Sequence, residues 1–108
     1  MTVTRSDVER MIDASLGATP APRMDQVEEF VRKTLDYNFA ATLTEPYFIK
    51  PNAEILHAAG KKLCTVISYP LGSMNHESKV AQIKQALADG ADECDIAMDA
   101  ILTLAAAN

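Results

Sequence analysis

The sequence predicts an α/β fold in which parallel strands alternate with helices. Short runs rich in apolar and β-branched residues alternate with segments of helical periodicity. These strand-like runs are almost wholly apolar, which is typical of a parallel sheet covered by helices. A glycine stands four residues before a cysteine at Gly60 and Cys64, and the same pattern recurs 30 residues later at Gly90 and Cys94. A period of 30 residues suits one βα unit. These patterns alone leave both a doubly wound sheet and a (β/α)8 barrel open.

The composition limits the size and the possible partners of the protein. A chain of 108 residues with 48% hydrophobic and 23% charged residues is at most one globular domain. The net charge of −5 argues against nucleic-acid binding, which needs clustered Lys and Arg. No apolar run is long enough to span a bilayer, and the polar segment Met1–Arg10 is unlike a signal peptide. We therefore expect a cytoplasmic protein that binds neither nucleic acid nor membrane.

The first third of the chain contains one ambiguous element. The capping-box pattern from Ser6 to Glu9 predicts the start of a short helix. Met11–Leu16 reads either as a continuation of that helix or as a strand, and residues 17–23 form a proline-containing loop. Met24–Tyr37 is predicted to be an amphipathic helix. Its apolar face comprises Val27, Phe30, Val31, Thr34 and Leu35.

The rest of the chain continues the alternation of strands and helices. The predicted elements are a strand over Phe39–Thr44, a helix over Pro51–Ala59, a strand over Leu63–Tyr69, a helix over Asn75–Ala88, a strand over Cys94–Met98 and a helix over Ala100–Ala107. Gly60 and Gly90 follow helices, where glycine is favoured. Cys64 and Cys94 lie in apolar runs and form no CxxC pair, so we expect buried free thiols.

Candidate functional residues follow from the rule that parallel α/β folds place function at the carboxyl ends of strands. Strand alternation puts Asp95 on the face opposite Cys94 and Ile96. In a barrel that face is the interior, where a carboxylate needs a cationic or hydrogen-bonding partner. We therefore favour a functional Asp95 over one that caps a neighbouring turn. Asp13 and Ser15 share a face if Met11–Leu16 is a strand, whereas a helix would leave Asp13 solvated.

Other polar residues give weaker signals. No carboxylate or thiol stands at ligand spacing to His57 or His76, so we expect surface histidines and no metal site. The segment Leu71–Ser73 lacks the glycines of a dinucleotide or phosphate loop, so no cofactor is predicted.

Five segments, in order and at matching spacing up to about Asp99, resemble the deoxyribose-phosphate aldolase family. They are Ile12–Leu16, Phe39–Ala41, Pro46–Ile49, Thr65–Gly72 and Asp89–Asp95. The resemblance implies a (β/α)8 barrel in which Met11–Leu16 is the first strand. Residues 1–108 are then an incomplete TIM-type barrel segment of about four strands, the N-terminal half of the barrel.

The resemblance also implies a reaction, the reversible cleavage of 2-deoxyribose 5-phosphate to acetaldehyde and glyceraldehyde 3-phosphate. The family uses a Schiff base on a strand lysine and needs no metal or other cofactor. Asp95 matches the aspartate that relays protons with that lysine and a water molecule. Asp13 and Ser15 match first-strand positions that bind the substrate, which is expected to be a small phosphorylated sugar or aldehyde.

The sequence departs from the family pattern in several places. Ala14-Ser15-Leu16 stands where the family often has His-Thr-Leu, and Leu43 stands at a family cysteine position. The family's Schiff-base lysine lies on the sixth strand and its partner lysine on the seventh. None of the six lysines of this chain suits that role, so we expect the chain alone to be inactive.

Two alternatives are kept. One is a non-catalytic half-barrel that assembles through its open strand edges, either as a homo-oligomer or with a missing second half. The other is a generic phosphosugar-binding module, which the absence of a phosphate loop makes less favourable.

Overall fold

The computed structural model describes residues 1–17 and 21–107. Its helices and strands, in chain order, are α1 (Arg5–Glu9), β1 (Asp13–Ser15), α2 (Met24–Thr34), β2 (Ala41–Leu43), α3 (Ile49–Ala58), β3 (Leu63–Ile67), α4 (His76–Asp89), β4 (Glu93–Ile96) and α5 (Ala100–Ala107). A 3-10 turn over Pro46–Phe48 leads into α3. Among the described helices, none is both long enough and apolar enough to cross a membrane.

The four strands form one parallel sheet in the order β1-β2-β3-β4. A helix follows each strand, so the predicted parallel α/β architecture is confirmed. Every strand is shorter than predicted, because pairing stops where the backbone leaves the extended conformation. At the end of β3, Ser68 takes a φ of +56°, so the strand ends at Ile67 and not at Tyr69.

Helix ends also differ from the expected positions. The capping box of α1 involves Thr4 and Asp7, not Ser6 and Glu9: Thr4 Oγ1 accepts from Asp7 N, and Asp7 Oδ2 accepts from Thr4 N. Glu9 instead accepts hydrogen bonds from the backbone N of Asn38 at 2.8 Å and from Arg5 Nε at 2.6 Å. These two bonds lower the pKa of Glu9, that from Asn38 most. Glu9 therefore ties α1 to the segment before β2.

Three helix boundaries shift for local reasons. Helix α2 ends at Thr34 and not at Tyr37. Helix α3 begins at Ile49, two residues before Pro51, because the preceding 3-10 turn already sets the helical direction. Asn75 lies outside α4 as its N-cap, where its side chain accepts from Ser78 N at 2.8 Å.

The hydrophobic core lies between the sheet and helices α2, α3 and α4. Leu63 and Ile67 of β3 are fully buried there. The predicted apolar face of α2 is confirmed, with Val27, Val31 and Thr34 buried and Phe30 and Leu35 partly buried. For α4 the helical pattern predicts an inward face of Val80, Ile83, Ala86 and Leu87, and half of this prediction is wrong. Ala86 is buried and Ile83 packs on the core, but Val80 and Leu87 are 37% and 54% exposed because only one line of the helix meets the core.

The 30-residue repeat is confirmed in the order of helix, glycine and strand, but the two cysteines of the repeat do not point in the same direction. Gly60 and Gly90 end their helices with φ angles of +71° and +114°. Cys64 is in register with Glu93, however, while Cys94 is in register with Thr65. The two cysteines therefore point to opposite faces of the sheet. Both are free thiols, Cys64 buried and Cys94 partly buried.

A polar contact that sequence spacing missed lies at the amino ends of β3 and β4. His57 Nε2 is 2.8 Å from Asp92 Oδ2, and the same oxygen accepts from the backbone N of Leu63 at 2.8 Å. Burial opposes ionisation of Asp92, but the hydrogen bonds from Leu63 and His57 prevail and lower its pKa. His57 is exposed, as expected, yet it joins α3 to the entry of β4.

Candidate functional site

The face of the sheet opposite the core carries the predicted site residues. Registered neighbours on parallel strands point to the same side, and Ser15, Leu43, Cys64 and Glu93 follow one another across the sheet. The same alternation places Asp13, Ala41, Val66 and Asp95 on that side. We call it the inner face. The open question about Met11–Leu16 is thereby resolved, since its centre is a strand.

The inner face brings together three side chains from three strands. A carboxylate oxygen of Asp13, the Sγ of Cys64 and a carboxylate oxygen of Asp95 all lie within 4.8 Å of one another. We call these three residues the Asp–Cys–Asp cluster. The expected shared face of Asp13 and Ser15 is confirmed by the strand β1, whereas the closeness of Asp13 to Asp95 follows from the pairing of the strands. Cys64 was not expected there, although alternation within β3, with Leu63 and Ile67 facing the core, could have indicated it.

The environment of Asp95 differs from the sequence-based expectation. An interior carboxylate with a cationic or hydrogen-bonding partner was predicted; Asp95 is instead exposed, and the Cys64 thiol is its hydrogen-bonding partner. Among the described ion pairs, none involves Asp13 or Asp95. Solvent reaches both carboxylates on the open inner face, so their charges are hydrated rather than paired.

The thiols of the chain are not activated nucleophiles. Burial raises the pKa of Cys64 to about 12, and the negative charges of Asp95 and Asp13 act in the same direction. Burial, and then the charge of Asp95, also raises the pKa of Cys94. Since the thiolate is the reactive form, neither cysteine suits covalent catalysis at neutral pH.

An open cavity of about 1060 Å³ lies over the carboxyl ends of the strands. Ser15 and Asp95 contribute polar groups to it, whereas most of the remaining wall is apolar. Its apolar side chains include Leu16, Leu43, Val66, Met98 and Leu104. A concave, mostly apolar opening with a few polar groups has the form of a small-molecule site.

The loop between β3 and α4 holds the end of β4, close to Asp95. Gly72 has a φ of +68°, and its backbone approaches that of Ala97 and Met98 so closely that a Cβ would stand 2.1 Å from the Met98 carbonyl oxygen. Lys79 Nζ donates to the Ala97 carbonyl oxygen at 3.0 Å. Ser68 supports the loop from within, since its Oγ accepts from Met74 N at 3.1 Å.

Comparisons with known proteins agree with this geometry. No protein-family model matches the chain. A deoxyribose-phosphate aldolase from Brevibacillus brevis is 31% identical over 93 residues, which are 86% of this chain and 42% of the relative. One from Streptococcus mutans is 34% identical over 92 residues, 85% of this chain and 41% of the relative.

Solved structures give the same result. A tetrameric deoxyribose-phosphate aldolase from Aeropyrum pernix superposes with a TM-score of 0.81 at 30% identity, covering 90% of this chain and 41% of its own. An aldolase named QR15 gives a TM-score of 0.84 at 32% identity, covering 94% and 44%. Over 85% to 94% of its length, the chain is similar to part of these aldolases. It spans about two fifths of the length of these relatives, and its four βα units form half of a TIM-type barrel.

The close approach at Gly72 predicts an unequal effect of two alanine substitutions. Gly72→Ala adds both a strained positive φ and a clash with the Met98 carbonyl, whereas Gly60→Ala adds only the strain, since nothing lies within 4 Å of its Cβ position. We expect Gly72→Ala to reduce the free energy of unfolding, measured with urea, by about 2 kcal/mol more than Gly60→Ala. Equal losses would show that the loop does not hold β4.

Proposed function

We propose that this chain supplies the front half of a deoxyribose-phosphate aldolase active site and is inactive without the rest of the barrel. The observation that carries the proposal is the convergence of Asp13 and Asp95 from β1 and β4 on one open face. In this proposal Asp95 relays protons during cleavage of 2-deoxyribose 5-phosphate, and Asp13 and Ser15 bind one end of the substrate.

The proposed role of Asp95 follows from what the reaction requires. Retro-aldol cleavage through a Schiff base removes a proton from a substrate hydroxyl as the carbon–carbon bond breaks, and later returns a proton to the enamine carbon. A carboxylate that faces the cavity and is open to water is suited to pass such protons. Ser15, on the same cavity wall, has a hydroxyl that can donate to or accept from a substrate oxygen.

The positions of the lysines support the prediction that the chain alone is inactive. Among the described residues that line the cavity over the inner face, none is a lysine. Lys33 is paired with Glu29 on α2, Lys61 Nζ donates to the Tyr37 carbonyl at 2.6 Å, and Lys79 is held by Ala97. The three others lie on helices α3 and α4 or just before β3; they are Lys50, Lys62 and Lys84. A Schiff-base lysine needs a depressed pKa and contact with the substrate, and these positions provide no such contact.

The cavity gives less support to a general phosphosugar-binding module. Arg, Lys and His are all absent from the described residues that line it. A phosphate group is normally held by such cations or by a glycine-rich loop at a helix start. We therefore keep the aldolase half-site as the proposal.

The absence of aldol cleavage can be tested on the purified chain. We expect no glyceraldehyde 3-phosphate from 2-deoxyribose 5-phosphate in a coupled assay, and no lysine adduct by mass spectrometry after borohydride reduction. The Streptococcus mutans relative serves as the positive control under the same conditions. A borohydride-trapped adduct on any lysine of this chain would refute the prediction.

The proposed role of Asp95 can be tested separately in the Streptococcus mutans relative. Replacing the residue aligned with Asp95 by Asn should lower kcat by about 100-fold or more.

Self-association is a second candidate, favoured by the edges of the sheet. β1 and β4 each pair on one side only among the described strands, and unpaired edges promote pairing with another chain. Near β4, large apolar side chains are exposed. They include Ile96, Met98, Ile101 and Leu104, at 53% to 81%.

Sedimentation of the purified chain tests this candidate. We expect a dimer or larger species at concentrations of tens of micromolar, because burial of those apolar groups offsets the entropy lost on association. A monomer that unfolds cooperatively over the same range of concentrations would contradict it.

A further inference from the structure

The Asp–Cys–Asp cluster has a feature that proton relay does not use, its thiol. Cys64 is fully buried, yet its sulfur lies within 4.8 Å of a carboxylate oxygen of both Asp13 and Asp95. Two carboxylates side by side repel each other. Among the described residues, no ion pair supplies either one with a positive charge.

The thiol of Cys64 acts only as a hydrogen-bond donor. It makes a long contact of 3.6 Å to the carbonyl oxygen of the adjacent Thr65, and it hydrogen-bonds the Asp95 carboxylate within the cluster. The sulfur lone pairs have no hydrogen-bond donor among the described residues. A fully buried sulfur thus faces two oxygen ligands, and all three point into one small space.

We propose that Asp13, Cys64 and Asp95 bind a divalent cation of the zinc type. Each residue supplies one ligand atom, and a water molecule fills the fourth position on the open side of the inner face. Three protein ligands with one open position is the arrangement of zinc sites that are accessible to small molecules. On binding, the Cys64 thiol loses its proton to solvent and the carboxylates stay ionised, so one proton is released for each ion bound.

The ligand atoms select the kind of metal. Mg²⁺ and Ca²⁺ take six or more oxygen ligands and gain little from sulfur, whereas Zn²⁺ and Co²⁺ accept carboxylate and thiolate together. Ligand atoms around a tetrahedral zinc ion are roughly 3.5 Å apart, given metal–ligand bonds of about 2.0–2.3 Å. The present limit of 4.8 Å is wider. Asp13 and Asp95 are exposed, so rotation of their side chains can close the difference without moving the sheet.

This site does not depend on the proposed aldolase role. Any cationic side chain placed against the same carboxylates would compete with the ion. We therefore expect metal binding in this chain on its own, measured by spectroscopy rather than by activity.

Co²⁺ is the probe, titrated into the purified and reduced chain. We expect one equivalent to bind, with a near-ultraviolet sulfur-to-cobalt charge-transfer band that Zn²⁺ abolishes and Mg²⁺ does not. Cys64→Ser should remove the band. Cys94→Ser is the matched control and should leave it unchanged, because Cys94 is on the opposite face.

Two exposed positions keep the test independent of folding. Asp13→Asn and Asp95→Asn should each weaken Co²⁺ binding by about tenfold or more while the circular dichroism spectrum stays that of the wild type. The absence of a charge-transfer band in the wild type at one equivalent of Co²⁺ would overturn the proposal. A band that survives Cys64→Ser, or that Cys94→Ser removes, would do the same.

Discussion

The register between β3 and β4 is the constraint on which the rest of the molecule depends. Val66 stands beside Asp95, and Thr65 beside Cys94. This pairing sends Leu63 and Ile67 into the core with α3, and it sends Cys64 and Asp95 to the inner face. A shift of one residue would exchange the two faces, burying the Asp95 carboxylate among apolar side chains and exposing two large core residues.

The two faces of the sheet therefore have different roles, one in stability and one in the proposed chemistry. The core face is filled by helices and carries the apolar side chains, while the inner face carries three ionisable side chains of the Asp–Cys–Asp cluster. Contacts outside both faces then hold the strand ends in place. His57 and Asp92 act where β3 and β4 begin, and Gly72 and Lys79 act where β4 ends. The position of Asp95 thus depends on groups at both ends of its strand.

The order and type of the elements could be predicted from the sequence, because apolar periodicity reflects which face each element buries. Alternation predicted that Asp13 and Ser15 share a face and that Asp95 lies opposite Cys94 and Ile96, and the family resemblance placed Asp13 in a strand. Strand ends could not be predicted, since they depend on local backbone angles such as that of Ser68. Contacts between distant residues, such as His57 with Asp92, and the place of Cys64 beside the two carboxylates depend on register, which no local pattern encodes.

The most direct test of this account is the rate at which each cysteine is alkylated. Iodoacetamide labelling of the metal-free chain at mildly alkaline pH, followed by peptide mass spectrometry, reports each thiol separately. Cys64 should react about tenfold or more slowly than Cys94, because Cys64 is fully buried whereas Cys94 is only partly buried. Asp13→Asn should speed the labelling of Cys64 and leave that of Cys94 unchanged. Equal rates for the two cysteines, with no effect of Asp13→Asn, would contradict the convergence of β1, β3 and β4 on one inner face.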